Sequence, residues 1–438
     1  MTDTIFALSS GKPPAGIAVI RISGSQSFEI YRLFTGCDAE SVASRTAHLR
    51  LLTHPATGEA LDRGLVLLFP GPNSVTGEDL VEWHCHGGQA VVRAVLDALA
   101  EQARERHDLR LREAQPGEFT RRAFENGRID LNEAEGLADL LTAETETQRR
   151  SAMMMAEGHF SRRLADWRAT SLECSARMES LLDFSDEDDV PGEGAERALR
   201  TDIRRLAEAM AAQLALSSAE RLQDGIRVVL AGPPNAGKST LLNALVGRDA
   251  AIVSDIAGTT RDRIEVPVNI GDIAFVLTDT AGLAGETEDA IERIGINRAQ
   301  AAIDACDILL WLGDPAQCPR ADGIRVSAQM DRSGWVEAAA ADITLSALTG
   351  ENMGALRDML IARATDLIPG DSEYALHRRQ RDAVADMVAA LQDAAAEADL
   401  LVAAEHLRLA RSAMDRLIGR SGIEDMLDSL FSRFCIGK

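Results

Sequence analysis

The stretch IRVVLAGPPNAGKSTLLNALVG, residues 226–247, decides the fold of the segment around it. It opens with a short apolar run, which predicts a strand buried in a parallel sheet. GPPNAGKST (232–240) then fits the pattern G-x-x-x-x-G-K-[ST] of a phosphate-binding loop. The residues after the loop predict a helix, which is the context that such a loop requires. The stretch therefore predicts a nucleotide-binding α/β segment.

Three side chains of this loop have predictable tasks. The backbone N–H groups of the loop would wrap the phosphates at the start of the helix. Lys238 would reach the terminal phosphates, and the hydroxyl of Ser239 would ligate Mg²⁺. The oxygen of the Asn235 side chain could help to hold a monovalent cation beside the phosphates. Alternatively, Asn235 only shapes the loop.

Further motifs follow in the order that GTPases use. GTTRD (258–262) lies where a switch loop senses Mg²⁺ and the γ-phosphate, and Thr260 is its predicted ligand. DTAG (279–282) follows the strand-like IAFVLT, and its Asp279 would hold Mg²⁺ through water. SALTG (346–350) matches the loop behind the base. Together these motifs predict a GTPase G domain rather than a generic ATPase.

The motif that would recognise the base is degenerate. Guanine selectivity usually rests on N-K-x-D, whose Asp accepts two hydrogen bonds from the base, whereas this chain has AQMD (328–331). Asp331 is kept, but Ala328 and Gln329 replace the Asn and the Lys. We expect guanine preference to survive through Asp331. We expect nucleotide affinity to fall, because the base loses a polar partner and an aliphatic wall. Relaxed base choice is the alternative.

Hydrolysis needs a group that the Ras-like pattern does not supply. Ras-like proteins place a Gln after D-x-x-G to orient water, but Leu283 occupies that position here. A cation held by Asn235 would supply the charge that an arginine finger gives elsewhere, worth up to ~10⁵-fold in rate. Acidic residues follow DTAG, and each of them could equally be a solvated acid at a helix start: Glu286, Glu288, Asp289 and Glu292.

Composition limits the function classes. The chain has 438 residues, 46% of them hydrophobic, so two or three domains are expected. No window approaches the ~20 apolar residues of a membrane span, and no signal peptide is visible. Six cysteines suit a reduced cytoplasm. The net charge of −23 argues against a generic nucleic-acid coat. The local basic islands at 118–128 and 377–381 are either binding faces or solvated helix faces.

The sequence pattern changes three times along the chain. Residues 1–118 mix strand-like runs with turn signals and one helix-like stretch, and they predict an α/β domain. Residues 119–216 and 373–438 are helical in pattern. Strand and helix signals alternate over 217–372. The predicted fold is multidomain α/β and α, with the α/β segment inserted into a discontinuous helical domain. An insertion of this kind requires that its two ends lie close together.

Several motifs together indicate a family. In order along the chain they are PGPNSVTGED (70–79), HGG (86–88), PGEFTRRAF (116–124), GPPNAGKS (232–239), DIAGTTRD (255–262), DTAGL (279–283), ERIG (292–295) and FCIGK (434–438). This combination, which covers essentially the whole chain, resembles the tRNA modification GTPase family MnmE (TrmE). NAGKS or GTTRD alone would fit other GTPases.

The resemblance implies a fold and an activity. The implied domains are an N-terminal α/β folate-binding and dimerisation domain (1–118), the discontinuous helical domain, and an inserted Ras-like P-loop G domain (217–372). The implied protein is a cytoplasmic homodimer that works on tRNA, in a heterotetramer with the FAD-dependent partner MnmG and without a membrane. Together they would install an aminomethyl or carboxymethylaminomethyl group at carbon 5 of the wobble uridine (U34). A tetrahydrofolate derivative, 5-formyl- or methylene-tetrahydrofolate, would supply the carbon.

The resemblance also implies site residues. K⁺ would bind Asn235, Ser254, Ile256 and Thr259. Mg²⁺ would bind Ser239 and Thr260, and Glu292 would orient the attacking water. Folate would contact Arg21, Glu82, Arg128 and Lys438, with Arg128 standing where a lysine is often found. GTP would contact Asn235, Ala236, Gly237, Lys238, Ser239, Thr240, Ser254, Asp255, Ile256, Ala257, Gly258, Thr259, Thr260, Asp279, Thr280, Ala281, Gly282, Asp331, Ser346, Ala347 and Leu348.

Cys435 near the end of the chain has three interpretations. CIGK (435–438) stands at a prenylation position but ends poorly for that signal. A buried small apolar residue is the second interpretation. The third is a catalytic thiol, carried by the tail to a folate site where the two tails of a dimer meet. There Cys435 would face the one-carbon unit or the uracil ring, as a nucleophile or a general acid.

Three function classes remain open: a tRNA-modifying GTPase, a regulatory GTPase without chemistry of its own, and a lipid-anchored GTPase. An N-terminal domain with Arg21 and Glu82 favours the first over the second. HCHGG (84–88) invites a metal-site interpretation, but on a strand the two histidines would share one face and Cys85 would point away. The methionines at 153–155 are typical of core packing.

Overall fold

The computed structural model describes residues 3–183, 193–214, 219–248, 265–280, 299–332, 335, 340–370, 373–418, 424–432, 434 and 436–437. The chain divides into two compact units. Unit 1 consists of Met1–Ala138 with Ile418–Lys438, and unit 2 is Asp139–Leu417. The four predicted domain ranges remain a prediction, since these units follow compactness alone.

Both units contain strands and helices. The strands are β1 (Thr4–Leu8), β2 (Ile17–Ser23), β3 (His48–Thr53), β4 (Ala60–Phe69), β5 (Leu80–His86), β6 (Leu111–Glu113), β7 (Ile226–Ala231), β8 (Glu265–Ile270), β9 (Ile273–Asp279), β10 (Ile308–Trp311), β11 (Ile324–Ser327) and β12 (Ile343–Thr344). The helices are α1 (Ser27–Thr35), α2 (Gln89–Glu105), α3 (Glu118–Glu125), α4 (Leu131–Thr142), α5 (Glu146–Ala156), α6 (His159–Asp183), α7 (Glu193–Leu214), α8 (Ala219–Asp224), α9 (Lys238–Arg248), α10 (Met353–Thr365), α11 (Arg378–Ala396), α12 (Leu400–Ile418) and α13 (Glu424–Phe431). Residues 299–305 are also helical.

Unit 1 is built on a six-stranded sheet in the order β3-β4-β5-β2-β1-β6. All neighbours pair antiparallel except β1 and β6. Side chains alternate between the faces, as strand geometry requires. One face packs its apolar side chains, Ile20, Val81 and Trp83 among them, with Val95 and Leu99 of α2. The other face carries the polar residues of the site described below.

The C-terminal tail belongs to unit 1. Leu430 and Phe431 of α13 join a core cluster with Leu131 of α4. Beyond the helix, Ile436 forms an isolated antiparallel bridge with Pro116. Gly437 then adopts φ +94°, and a Cβ there would overlap the carbonyl oxygen of Leu8. A glycine is therefore needed for the tail to lie against the end of β1.

Unit 2 contains a second six-stranded sheet, in the order β12-β11-β10-β7-β9-β8. Its strands are parallel except β8, which runs antiparallel to β9. Alternate residues of β7 enter different cores: Val228 packs with α9 and α10, and Val229 packs with Ile303 of the helical residues 299–305. This sheet is thus buried on both faces, which explains the apolar run that predicts its central strand.

Helices of unit 2 both precede and follow that sheet in the sequence. α7 precedes the sheet and α11 follows it, and the two helices pack against each other. α5 begins with a capping box, in which Thr145 and Gln148 exchange hydrogen bonds. In the described part of the chain, no helix is long and apolar enough to cross a membrane.

The local structure predicted around the phosphate-binding loop is confirmed. IRVVLAG forms β7 and ends in the loop, and α9 begins at Lys238. IAFVLT lies in β9, directly before DTAG. The strand-like and helix-like stretches expected in the first 118 residues are β2, β4 and α2. A mixed α/β and α architecture is therefore confirmed.

Candidate functional site

The predicted nucleotide motifs meet at one edge of the sheet in unit 2. The phosphate-binding loop follows β7, DTAG follows β9, AQMD follows β11 and SALTG follows β12. These four strands are parallel, so their carboxyl ends lie at the same edge. Ligands of open α/β sheets bind at this edge. The topology therefore brings together motifs that are scattered over more than a quarter of the chain.

Lys238 closes the phosphate-binding loop on itself. Its Nζ donates hydrogen bonds of 2.9 Å to the carbonyl oxygens of Gly232 and Pro233. The side chain is buried, so the ammonium group is held inside the loop rather than extended into solvent. A positive group at this position, at the N-terminus of α9, suits the binding of anionic phosphates.

Ser239 and Asp279, which the sequence assigns to Mg²⁺ binding, are in direct contact. The Ser239 hydroxyl donates a hydrogen bond to Oδ2 of Asp279. Register explains the approach, because Asp279 pairs with Leu230 near the end of β7. The next residue, Thr280, donates its hydroxyl to the carbonyl oxygen of Leu230 at 3.0 Å, which fixes the backbone as it leaves β9. Hydroxyl and carboxylate oxygens are the ligand types that Mg²⁺ prefers.

Asn235 and Gln329 form a contact that sequence reasoning missed. Asn235 lies in the left-handed region with φ +62°, and its backbone oxygen accepts a 3.0 Å hydrogen bond from Nε2 of Gln329. The degenerate motif AQMD thus reaches the phosphate-binding loop. The departure from N-K-x-D at this position was the only signal in the sequence that pointed to Gln329.

The two loops of the predicted base site are joined by side chains. The Ser346 hydroxyl donates a 2.6 Å hydrogen bond to Oδ1 of Asp331, and the hydroxyl oxygen of Ser346 accepts the N–H of Thr349 at 3.1 Å. Ser346 is fully buried, whereas Leu348 is 78% exposed. Ala328 packs against the core of the sheet. The site therefore offers a carboxylate held by a buried hydroxyl, with an apolar floor.

A second polar site lies on the open face of the sheet in unit 1. Arg21 and Glu82 are directly paired across β2 and β5. Nε and Nη2 of Arg21 lie 3.0 Å and 2.7 Å from Oε1 of Glu82, and the two side chains are 17% and 15% exposed. The guanidinium carbon of Arg21 lies 5.7 Å from the ring centroid of Phe119. Arg21 therefore makes a cation–π contact with Phe119 in addition to its ion pair with Glu82.

A buried ion network supports this second site. Arg122 of α3 bonds to Glu78 at 2.9 Å and to Glu118 at 3.0 Å. Glu118 also accepts two hydrogen bonds from Arg112, at 2.8 Å and 2.6 Å. Burial alone would raise the pKa of Glu118, but these hydrogen bonds outweigh it and hold that pKa below its usual value. The network fixes α3, which carries Phe119.

Arg128, also predicted to bind folate, lines an open cavity of about 640 Å³ in unit 1. Arg45, Phe69 and Ser74 line it too. Arg128 is two residues from Asn126, whose amide bonds to the carbonyl oxygen of Thr76 at 2.7 Å. The Thr76 hydroxyl in turn bonds to Ser23 of β2 at 2.7 Å.

The residues of HCHGG separate as the strand pattern predicts. Cys85 points into the core, where burial raises the pKa of its thiol to about 12. His84 and His86 lie on the other side of β5. His86 Nδ1 lies 2.8 Å from Asp62 Oδ1, and His84 Nε2 lies 3.5 Å from Glu82 Oε2. Each histidine thus has its own carboxylate partner.

Other predicted residues lie outside the described residues: Ser254, Asp255, Ile256, Ala257, Gly258, Thr259, Thr260, Ala281, Gly282, Leu283, Glu286, Glu288, Asp289, Glu292, Cys435 and Lys438. Their assignments stay predictions. The same holds for the roles of the described site residues.

Comparison with known proteins places the chain in a family. The model of the GTP-binding protein TrmE N-terminus matches residues 4–128, and the model of the MnmE helical domain matches residues 131–435. The tRNA modification GTPase MnmE of Rhizorhabdus wittichii is 55% identical over 100% of this chain and 97% of its own length. Proteins of the same name from Novosphingobium aromaticivorans and Erythrobacter litoralis are 51% and 50% identical, each over 100% of both chains.

The chain belongs to the MnmE family of tRNA modification GTPases. The family resemblance predicted from the ordered motifs is therefore confirmed. The G domain of the T. maritima FeoB iron transporter is a much weaker match among solved structures. Its TM-score is 0.24 at 21% identity, over 32% of this chain and 98% of that one, too low to support a conclusion.

Membership of the MnmE family bears on both polar sites. The nucleotide motifs of unit 2 agree with the word GTPase in the name of the relatives. The site around Arg21 falls within the segment matched by the N-terminal family model. Phe119 and Arg122 both lie in PGEFTRRAF, so that motif was the signal that could have revealed them.

Proposed function

We propose that this chain is a K⁺-dependent GTPase that acts in the modification of the wobble uridine of tRNA, with a folate-derived one-carbon unit. One observation supports GTPase activity above all. The residues predicted to bind GTP and Mg²⁺ lie together at one edge of the sheet: Lys238, Ser239, Asp279 and Asp331. Membership of the MnmE family supports the tRNA part.

GTP would bind with its phosphates in the loop after β7 and its base between the loops that carry Asp331 and Ser346. Lys238 would turn from the loop carbonyls to the terminal phosphates, since phosphate oxygens are the stronger partners of an ammonium group. Asp331 would accept the base N–H groups, with its carboxylate held by Ser346. This arrangement supports guanine preference despite the loss of Asn and Lys from the motif.

Ser239 and Asp279 fit Mg²⁺, because their oxygens already lie in contact at the mouth of the loop. Thr260 would complete the protein ligands. When bound there, Mg²⁺ would neutralise charge on the phosphates. The protein's part is to hold the hydroxyl and the carboxylate in place, and the bond of Thr280 to Leu230 stabilises the second of them.

K⁺ would bind beside the phosphates through Asn235, Ser254, Ile256 and Thr259. The left-handed backbone at Asn235 bends the loop at this residue, and Leu283 cannot assist the attacking water. K⁺ supplies positive charge that stabilises the transition state. Glu292 would orient the water that attacks the γ-phosphate.

A tetrahydrofolate derivative would bind around Arg21 and Glu82, with Arg128 and Lys438 nearby. A reduced pterin ring carries N–H donors that suit the Glu82 carboxylate. Its glutamate tail carries carboxylates that suit arginine. Phe119 offers an apolar surface under Arg21. Cys435 would face the one-carbon unit as the catalytic thiol.

The remaining features complete the proposal. The protein would be a cytoplasmic homodimer that joins a flavin-dependent partner, MnmG, in a heterotetramer on tRNA. The G segment would be an insertion in a discontinuous helical domain. Packing between α7 and α11, which flank that segment in sequence, supports this arrangement.

GTP hydrolysis in KCl and NaCl tests the cation. We expect turnover to rise steeply when K⁺ replaces Na⁺, and Asn235→Ala to flatten that response. Asn243→Ala, on an exposed position of α9, is the matched control and should respond like the unsubstituted protein. Equal rates in the two salts would exclude a K⁺-dependent mechanism.

Two further measurements test the modification and the folate site. Bulk tRNA from a deletion strain should lack the wobble-uridine modification, and a ribosome sedimentation profile should be normal. The reverse pair of results would favour a regulatory GTPase. Calorimetry should detect 5-formyl-tetrahydrofolate binding, and Arg21→Gln should abolish it while the surface variant Arg32→Gln does not. Retained binding by Arg21→Gln would move the folate site elsewhere.

A further inference from the structure

Gln329 reaches from the base loop to the phosphate-binding loop. It follows β11 and precedes Asp331 by two residues. Its Nε2 donates a 3.0 Å hydrogen bond to the backbone oxygen of Asn235. A Cβ on Gly237 would lie 3.1 Å from the same nitrogen, so the amide packs closely against the loop. One side chain therefore joins two loops that lie far apart in sequence.

The backbone at both ends of this contact is unusual. Gln329 has φ +65° and Asn235 has φ +62°, both in the left-handed region. Asn adopts this region more readily than most residues, but Gln has no such preference. Strain at a non-glycine residue persists where the surrounding structure over-determines it, and strained residues cluster at functional sites.

The contact bears on the groups that would bind phosphate. A trans peptide unit points its carbonyl oxygen and its following N–H in opposite directions. By holding the oxygen of Asn235, Gln329 fixes the direction of the Ala236 N–H, which donates a hydrogen bond to the oxygen of Pro233 across the loop with an N···O distance of 3.4 Å. Backbone N–H groups of such loops are the donors that cradle phosphates. Gln329 therefore sets the geometry of the phosphate-binding loop from outside it.

We propose that Gln329 is a positioning residue that ties base recognition to the phosphate-binding loop and to the cation site at Asn235. The second half of this inference rests on the proposed K⁺ site. Asp331 identifies the base, and Gln329 transmits the position of the base loop to Asn235. The contact thereby links the base loop of this chain to its phosphate-binding loop.

Nucleotide binding without K⁺ tests the first half. In NaCl with Mg²⁺, Gln329→Met should weaken GDP binding about fivefold, the effect of losing one ordinary hydrogen bond. The ratio of GDP to ADP affinity should stay the same, because Asp331 still reads the base. Gln329→Lys, which keeps a donor, should restore GDP affinity to within twofold. Gln300→Met is the control, since Gln300 is exposed and bonds only to Asp304 among the contacts described.

A potassium titration of GTP hydrolysis tests the second half. Gln329→Met should raise the half-saturating K⁺ concentration about fivefold, while kcat at saturating K⁺ stays within twofold. A merely structural role would lower kcat or the melting temperature and leave the response to K⁺ where it was. Gln329→Glu, which is isosteric but has no donor and adds a negative charge, should weaken GDP binding at least as much as Gln329→Met and serves in the GDP titration if the Met variant folds poorly.

Each result decides one part of the inference. Unchanged GDP affinity in Gln329→Met and Gln329→Glu, or no rescue by Gln329→Lys, overturns the link between the loops. Weakened GDP binding with an unchanged potassium response confines the link to the phosphates and overturns its extension to the cation. If the unsubstituted protein responds equally to K⁺ and Na⁺, the proposed K⁺ site fails, and the GDP titration still decides the loop contact.

Discussion

The hydroxyl oxygen of Ser346 lies 2.6 Å from Oδ1 of Asp331, and this hydrogen bond joins the two loops that would face the guanine base. The hydroxyl is buried and donates to one carboxylate oxygen, so the carboxylate is held in a single orientation. The pair explains how a base site can persist although Ala328 and Gln329 have replaced two polar residues of the usual motif.

Asp331→Asn should shift nucleotide preference from guanine to xanthine. The substitution replaces an acceptor oxygen by an NH₂ donor, which matches the carbonyl at position 2 of xanthine. Competition between GDP and XDP for the protein measures the shift. Ser346→Ala is the matched variant, because it should weaken GDP binding severalfold and leave guanine preferred. No shift in Asp331→Asn would mean that AQMD is not the base motif.

Glu292→Ala should lose GTP hydrolysis by roughly 10²-fold or more and still bind nucleotide, since a group that orients water acts on the transition state. Single-turnover hydrolysis and GDP affinity, measured on the same preparation, separate the two effects. Glu286→Ala is the control and should hydrolyse GTP normally. Near-normal turnover in Glu292→Ala would transfer the role to Glu286, Glu288 or Asp289.

Unit 1 should lose stability in acid through Glu118. The pKa of Glu118 is lowered in the folded state from 4.5, so its ionised form stabilises the fold above about pH 4.5. That contribution is lost as the pH falls through the lowered pKa. Glu118→Gln should cost about 3 kcal/mol at pH 7, because Arg112 and Arg122 lose a buried partner.

Hydrogen exchange in β2 and α3, measured from pH 7 down to pH 3, checks this prediction. The variant should be less protected than the parent at pH 7, and the difference should shrink on acidification. Glu29→Gln is the control. Its pair with Arg32 is solvent-exposed, and such pairs contribute little to stability. A constant difference across the whole pH range would contradict the assigned cause.

Gln148→Leu should loosen the junction between α5 and α8. Oε1 of Gln148 accepts the N–H groups of Glu144 and Thr145 at 2.7 Å and 2.9 Å, and Nε2 donates to the oxygen of Leu222 at 2.9 Å. The side chain is buried, so its removal leaves buried backbone groups unsatisfied at a cost of about 2 kcal/mol. Faster amide exchange in α5 and α8 would show the loss.

Thr147→Val is the matched control for Gln148→Leu. Thr147 makes one exposed hydrogen bond, to the oxygen of Asp272 at 3.1 Å. Loss of this hydrogen bond should change the amide exchange rates of α8 by less than a factor of two. Equal effects of the two variants would contradict the importance of the buried amide.

Cys435→Ser should separate the two activities. We expect K⁺-dependent GTP hydrolysis to persist, because the proposed nucleotide site lies in unit 2 whereas the tail belongs to unit 1. Dimerisation should persist as well. Wobble-uridine modification in cells should be lost, since Ser lacks the nucleophilicity and acidity of a thiol. Cys37→Ser, in unit 1, is the control and should modify tRNA normally. Full modification by a stable Cys435→Ser protein would make this cysteine a packing residue.

The tail itself illustrates what sequence reasoning could not reach. FCIGK, at the end of the chain, is a family motif, but the sequence alone does not show which residues it contacts. Folding brings Ile436 to Pro116 and Gly437 to Leu8 within the same chain. The positive φ of Gly437 and the close approach to the Leu8 oxygen are consequences of that docking. A tail meeting near the folate site of a dimer stays a prediction.

The sequence by itself determined the phosphate-binding loop, the strand and helix around it, the order of the GTPase motifs and the family, because each motif is a run of neighbouring residues and the order of the motifs is read along the chain. Tertiary structure alone decided that Gln329 holds the loop at Asn235, 94 positions away, and that Arg21 pairs with Glu82, 61 positions away. Such contacts depend on strand order and register, and no local pattern encodes either of them.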